Sequence, residues 1–142
     1  MEFTDVIRSD DQLRALMGDP VAPAVVDKTL STLDRHCLTF IARSPFVLVA
    51  TSDGAGRMDI SPKGDAPGFV RVVDERTLQM PERKGNKLVF SLQNLLVNPR
   101  AGLVFLVPGT GETLRVSGNA TLLDDAELCT SFAARDKPAL LV

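Results

Sequence analysis

The chain has 142 residues, 44% of them apolar and 24% charged, and its formal net charge is −2. That length supports one domain with a core of its own. With 16 cations against 18 anions and only 5% aromatic residues, the composition argues against a nucleic-acid binder and against attraction to an anionic membrane, so any anion site must be local.

The first segment reads as a helix. Ser9 and Gln12 have capping-box spacing ahead of Leu13, Leu16 and Met17, and Gly18 with Pro20 ends the run. A second helix is predicted over residues 32–43, with Leu33, Cys37, Phe40 and Ile41 on one face and Ser44-Pro45 as its stop. The period then changes to two. Residues 46–51 are an apolar, β-branched strand, residues 53–56 (DGAG) a turn, and residues 57–61 the returning strand of a hairpin. Residues 62–68 (PKGDAPG) read as a loop, in which Gly64 and Asp65 serve turn geometry. Residues 69–73 and 77–80 form a second hairpin around Asp74-Glu75.

A third helix is predicted over residues 86–97. Its apolar stripe is Leu88, Leu92, Leu95 and Leu96, and its polar stripe on another face is Lys87, Ser91, Asn94 and Asn98. Two strands follow, residues 102–107 and 112–123. The second alternates Leu114, Val116, Gly118, Ala120 and Leu122 with polar residues. Asp124-Asp125 then caps a last helix running to about Ala134. Six or so strands joined mainly by tight turns imply an antiparallel sheet closed into a small barrel.

The most informative stretch is residues 80–100, MPERKGNKLVFSLQNLLVNPR. Arg83 and Lys84 fall between a strand end and a predicted helix start. Free N–H groups and the positive end of a helix dipole suit a phosphate there, and two cations add charge-assisted hydrogen bonds. The competing reading is a solvated helix start, and from local chemistry alone the two are evenly matched. Ser91 and Asn94 are either the wet face of the helix or, for Asn94, a partner of a neighbouring strand.

One His and two distant Cys provide no metal site of normal ligand number. Cys37 and Cys129 read as small core residues of a reduced protein. No apolar run has transmembrane length, and the N-terminus is too acidic and polar for a signal peptide, so the expected location is the cytoplasm. With no Trp or Tyr and a single His, acid–base catalysis is poorly supplied and no catalytic residue stands out. A cofactor with its own chemistry relaxes that need.

The run ERKGNKLVFSLQNLLVNPRAGLVFLV, together with DISPKGDAPGFVRVVD, resembles the FMN-binding split-barrel proteins related to pyridoxamine 5′-phosphate oxidase, over about residues 46–132. The second loop is most similar to a subgroup of uncharacterised FMN-dependent proteins of that class. The resemblance implies a mainly β (α+β) fold, a six-stranded antiparallel Greek-key split β-barrel with flanking helices. Residues 1–142 would be one such domain, with residues 1–44 as a helical N-terminal extension.

By the same resemblance the cofactor is FMN. Arg83 and Lys84 would grip its phosphate, Lys63 would add a second phosphate-side cation, and Ser61 and Asn86 would be polar neighbours of the ribityl chain or phosphate. Ser91 and Asn94 fall where family members bring side chains to the cofactor across a homodimer interface. The function implied is a flavin-dependent oxidoreductase acting on a small molecule. The alternatives are a flavin carrier without catalysis, or a split barrel that uses a deazaflavin or handles haem. Haem is disfavoured because His36 is the only imidazole and lies outside the barrel region, which leaves a Met or Cys ligand as the alternative. The oxidases carry a C-terminal segment that recognises the pyridoxal ring and its phosphate. Here the sequence ends at Lys137 to Val142, so the expectation is a truncated form or a substrate side built differently.

Overall fold

The computed structural model describes residues 4–19, 29–85, 87–132 and 139–141, the last three by their backbone. The chain divides into two units, Met1–Ser31 and Thr32–Val142. The first contains helix α1 (Asp10–Met17). Ser9 caps it as expected, its hydroxyl accepting from the Gln12 amide at 3.2 Å, while the Gln12 side chain accepts from the Arg8 amide at 2.7 Å. Gly18 ends it with a φ of 75°.

The second unit starts with helix α2 (Arg35–Arg43). Asp34 caps it, accepting from the amides of His36 and Cys37 at 2.9 and 2.8 Å. Cys37 and Phe40 are partly buried and Ile41 is buried, so the inward face is the one that the sequence spacing predicts. α2 is therefore a core element of this unit and is not part of Met1–Ser31.

Strands β1 (Phe46–Ser52) and β2 (Met58–Gly64) form a seven-pair antiparallel hairpin. Its turn is held by Asp53, whose carboxylate accepts from the amides of Ala55 and Arg57 and ion-pairs with the Arg57 side chain. β2 continues three residues past the predicted end, through Pro62 to Gly64. A short hairpin of β3 (Arg71–Asp74) and β4 (Thr77–Gln79) follows, then β5 (Pro81–Arg83). Helix α3 (Phe90–Val97) leads into a second long hairpin, β6 (Arg100–Leu106) and β7 (Thr113–Asn119). Helix α4 (Ala126–Ser131) and strand β8 (Ala139–Leu141) complete the unit. The expected end of α4 at Ala134 lies outside the described residues.

The fold is mainly β with flanking helices, and every strand pairing is antiparallel. The main sheet has the order β2-β1-β6-β7, so β6 returns beside β1 after the excursion through β3–β5 and α3. β3-β4 and β5-β8 are separate two-stranded sheets. Where the sequence reading expects six strands in one split barrel, the described residues have eight strands in three antiparallel sheets, and no closed ladder joins these strands. The free edge of β2 carries Pro62, which has no N–H to give a further strand.

The core lies on one face of the main sheet. Val47 and Val49 of β1 stand opposite Phe105 and Leu103 of β6, which stand opposite Leu114 and Val116 of β7. Ile41, Val70 and Met80 close over them. Ser44, almost fully buried, donates to the carbonyls of Phe46 and Leu106. No helix among the described residues is long and apolar enough to cross a membrane.

Candidate functional site

The inward face of the main sheet changes character at its edge. Register places Lys63, Ser61 and Asp59 of β2 opposite Val47, Val49 and Thr51 of β1, so all six side chains point to the core side. The apolar residues of β2 point the other way, with Met58 66% and Ile60 63% exposed. This inverted strand forms one wall of an open groove of about 1080 Å³. β5, residues 84–92 and α4 supply the rest of the lining. The volume is just above the roughly 300–1,000 Å³ typical of cofactor and ligand sites.

Five of the seven predicted residues line this groove: Ser61, Lys63, Arg83, Lys84 and Ser91. Asn86 lies outside the described residues. Asn94 does not line the groove; its amide donates to the Thr51 hydroxyl at 3.1 Å. Ser91 is buried and donates to Asp59 at 2.6 Å, and Asn98 donates to Ser52 at 2.9 Å. The polar stripe of α3 therefore packs against the sheet through a seam of hydrogen bonds. Leu95 is buried beside it, while Leu96 and Val97 of the same helix face solvent. Leu95 of the predicted apolar stripe thus stays inward, and Asn94 is a partner of a neighbouring strand, but Leu96 is turned out because the sheet end beneath the helix offers Thr51, Ser52 and Asp59 in place of an apolar surface.

The start of α3 also differs from the sequence expectation. The helix begins at Phe90, so Arg83 sits on β5 and Lys84 just after it, and neither is in the first turn. Lys87 and Val89 both have positive φ, 63° and 50°. A β-branched residue in the left-handed region is strained by about 1–3 kcal/mol and marks a place worth examining for function. Val89 is the N-cap and provides no side-chain cap, so among the described residues the helix opens into the groove without a side-chain cap on its first N–H groups.

The cations of the groove do not all stand alone. Arg83 donates through Nε and Nη2 to Asp65 Oδ2 at 2.8 and 2.6 Å, and through Nη1 to the Phe132 carbonyl at 3.3 Å. Lys63 pairs with Glu82 at 2.6 Å, with both side chains more than four-fifths buried. Lys84 is exposed and makes no ion pair among the described residues. Sequence reasoning missed Asp59, Asp65 and Glu82 as neighbours of the expected cofactor residues. The alternation Asp59, Ser61, Lys63 was the available signal, hidden by reading Pro62 as the start of a loop. Asp65 serves the turn as expected, accepting from the Ala66 amide at 2.8 Å, and holds Arg83 as well.

α4 is fixed above the groove by two arginines. Arg71 donates to Ser131 through both terminal nitrogens and its guanidinium lies 3.9 Å from the centre of the Phe132 ring, while Arg83 takes the next carbonyl. Cys129 of α4 is buried against the groove, and Cys37 is partly buried, its thiol pushed up by burial; both are free. No group of three or more His, Cys, Asp or Glu that could hold a metal occurs among the described residues.

Solved structures with the same arrangement include HupZ from Group A Streptococcus. It is 17% identical with a TM-score of 0.57, over 78% of this chain and 87% of that one. A variant HupZ structure gives 0.58 over 76% and 89%. HutZ, described as the haem storage protein of Vibrio cholerae, is 15% identical with a TM-score of 0.51, over 77% of this chain and 87% of that one. No curated protein sequence matches the chain. The model of the pyridoxamine 5′-phosphate oxidase family matches residues 33–140, which span the main sheet, the groove and both helices beside it, and the chain belongs to that family.

Proposed function

We propose that the groove binds FMN and that the protein is a flavin-dependent oxidoreductase acting on a small molecule. The observation that carries this reading is the uncapped, strained start of α3 opening into a groove whose walls bear Lys63, Arg83 and Lys84. A phosphate group needs several donors, and N–H groups at a helix start with cations beside them supply that set. Ser61 adds a hydroxyl on the wall, and the exposed apolar side chains of Leu88 and Phe90 on the rim suit the flat, largely apolar ring. The residues present therefore fit the group. Bound FMN would supply hydride or electron transfer, and the protein's own part is to hold, orient and shield it.

The proposal includes a homodimer. Met58 and Ile60 on the outward face of β2, and Leu96 and Val97 on the outward face of α3, are large apolar side chains left in solvent. A second copy covers such surface by an isologous contact. Light scattering of the wild type and of Ile60→Asp tests it, with a dimer expected for the first and a monomer for the second. We place the protein in a reducing compartment, the cytoplasm, on its two free cysteines.

The likeness to HutZ makes haem the second reading. The chain's one histidine, His36, is on α2 and does not line the groove, which leaves Cys129, among the described residues, as the lining residue able to ligate iron. The absorbance of purified protein separates the two. A flavin spectrum with FMN released on heating supports the first reading, and a Soret band replaces it with the second.

A further inference from the structure

Among the described residues the charge of the groove is balanced, and this limits which anions can enter it. Four cations line it there, Lys63, Arg83, Lys84 and Lys87, and so do four carboxylates, Asp59, Asp65, Glu82 and Asp124. Two of the cations expected to hold a phosphate are already engaged at 2.6 Å, Lys63 by Glu82 and Arg83 by Asp65. The Lys63–Glu82 pair is the more secluded, with 19% and 15% of its side chains exposed. A phosphate approaching Lys63 meets the Glu82 carboxylate at close range, in a place where solvent screens like charges less well than in bulk water.

We propose that Glu82, with Asp65 in the same role, sets the specificity of the groove by excluding small free anions. Only a phosphate ester that carries an apolar body gains enough contact to overcome the two carboxylates. An inorganic phosphate has nothing to offer the rim of Leu88 and Phe90 and is turned away by the like charges. Selectivity then comes from a repulsive element that every anion meets and an apolar contact that only the larger ligand makes. This inference rests on the FMN reading of the groove.

The test compares wild type, Glu82→Gln and Asp65→Asn, each checked for folding by circular dichroism and thermal melting. Each is titrated with FMN, with riboflavin, and with inorganic phosphate as a competitor of FMN. Glu82→Gln keeps the side-chain shape and removes the charge. The expected result is FMN binding tightened about tenfold, riboflavin binding unchanged, and inorganic phosphate becoming a competitor that the wild type resists. Asp65→Asn shifts both anions in the same direction and gives the same answer if Glu82→Gln does not fold. FMN binding weakened in either folded variant, with riboflavin unchanged, shows that the carboxylates hold the cations in place and overturns the proposal. Equal changes for FMN and riboflavin show a change of groove shape and overturn it too. A wild type that binds neither flavin removes the FMN reading itself, and this inference falls with it.

Discussion

One face of one sheet does two different things in this protein. Along β1 and β6 it is apolar, with Val47, Val49, Phe105 and Leu103 packed under Ile41. One strand further out, on β2, the same inward positions are Asp59, Ser61 and Lys63. The backbone pleat is continuous across the three strands, so the difference lies in side-chain chemistry alone. The central strands spend that face on burial, which stabilises the fold. The edge strand keeps it partly solvated and lines a groove with it. A polar inward face is tolerable at an edge, where each group can find a partner or water, and would be costly at the sheet centre.

The largest effect is expected at the apolar end. Phe105 is fully buried. Phe105→Ala should lower stability by about 3–5 kcal/mol, the range for removing an aromatic ring from a packed core, read by urea unfolding. If the two parts of the face are independent, FMN affinity of the folded variant stays near that of the wild type. A matching loss of affinity would join them into one unit.

Next comes the seam that joins α3 to the polar edge. Ser91→Ala leaves the partly buried Asp59 carboxylate without its 2.6 Å donor. The expected loss is about 1.5–3 kcal/mol, as for a hydrogen bond to a charged group. Removing the carboxylate as well, in Ser91→Ala with Asp59→Ala, should recover part of it. No recovery in urea unfolding would mean that the seam is held by packing and not by this bond.

Smaller, and confined to the groove, is the contrast between its two neighbouring cations. Lys84→Ala should weaken FMN binding and leave the melting temperature unchanged, because Lys84 makes no ion pair among the described residues. Arg83→Ala should weaken FMN binding by at least about 1.5 kcal/mol and also lower the melting temperature, since Arg83 ties Asp65 to the end of α4. Fluorescence titration and melting of both variants check this. Equal affinities for wild type and Arg83→Ala would leave Arg83 a purely structural residue.

The same contrast explains what could be read from the sequence. Elements whose partners are local were legible. Ser9 and Gln12 announce α1, the inward face of α2 follows from Cys37, Phe40 and Ile41, and Asp53 with its glycines marks the β1–β2 turn. The groove depends on residues distant in sequence. Lys63 and Glu82 stand on strands that do not pair with each other, β5 pairs with β8 at the far end of the chain, and Thr51 and Asp59 decide which way α3 turns. No local pattern reports such partners. The left-handed turn at Lys87 and Val89 was equally silent, since a β-branched residue is among the last expected there. The sequence pattern therefore starts the helix at residue 86, four residues before Phe90, and sets Arg83 and Lys84 against its first turn.

The smallest expected effect tests the apolar part from outside. Asp34 caps α2, the helix that brings Ile41 onto the core. The backbone N–H of Cys37, helped by further hydrogen bonding from Cys37 and by His36, holds the Asp34 carboxyl below its ordinary value. A carboxyl lowered by folding stabilises the protein above its unfolded value, and that contribution is lost as pH falls through the folded value. The loss should therefore appear on the acid side of the usual carboxylate range and nowhere near neutrality. Asn caps helices about as well as Asp but does not titrate, so Asp34→Asn should melt close to wild type at neutral pH and should not lose the cap in acid. The wild-type advantage, if any, then shrinks as pH falls. Asp53 and Asp74 are lowered in the same way by the backbone N–H groups of Arg57 and Arg76, so acid still destabilises the variant, only less steeply. Parallel curves for the two proteins down through the carboxylate range would show that the Asp34 charge does not hold α2 to the sheet, and that Ile41 is kept in place by packing alone.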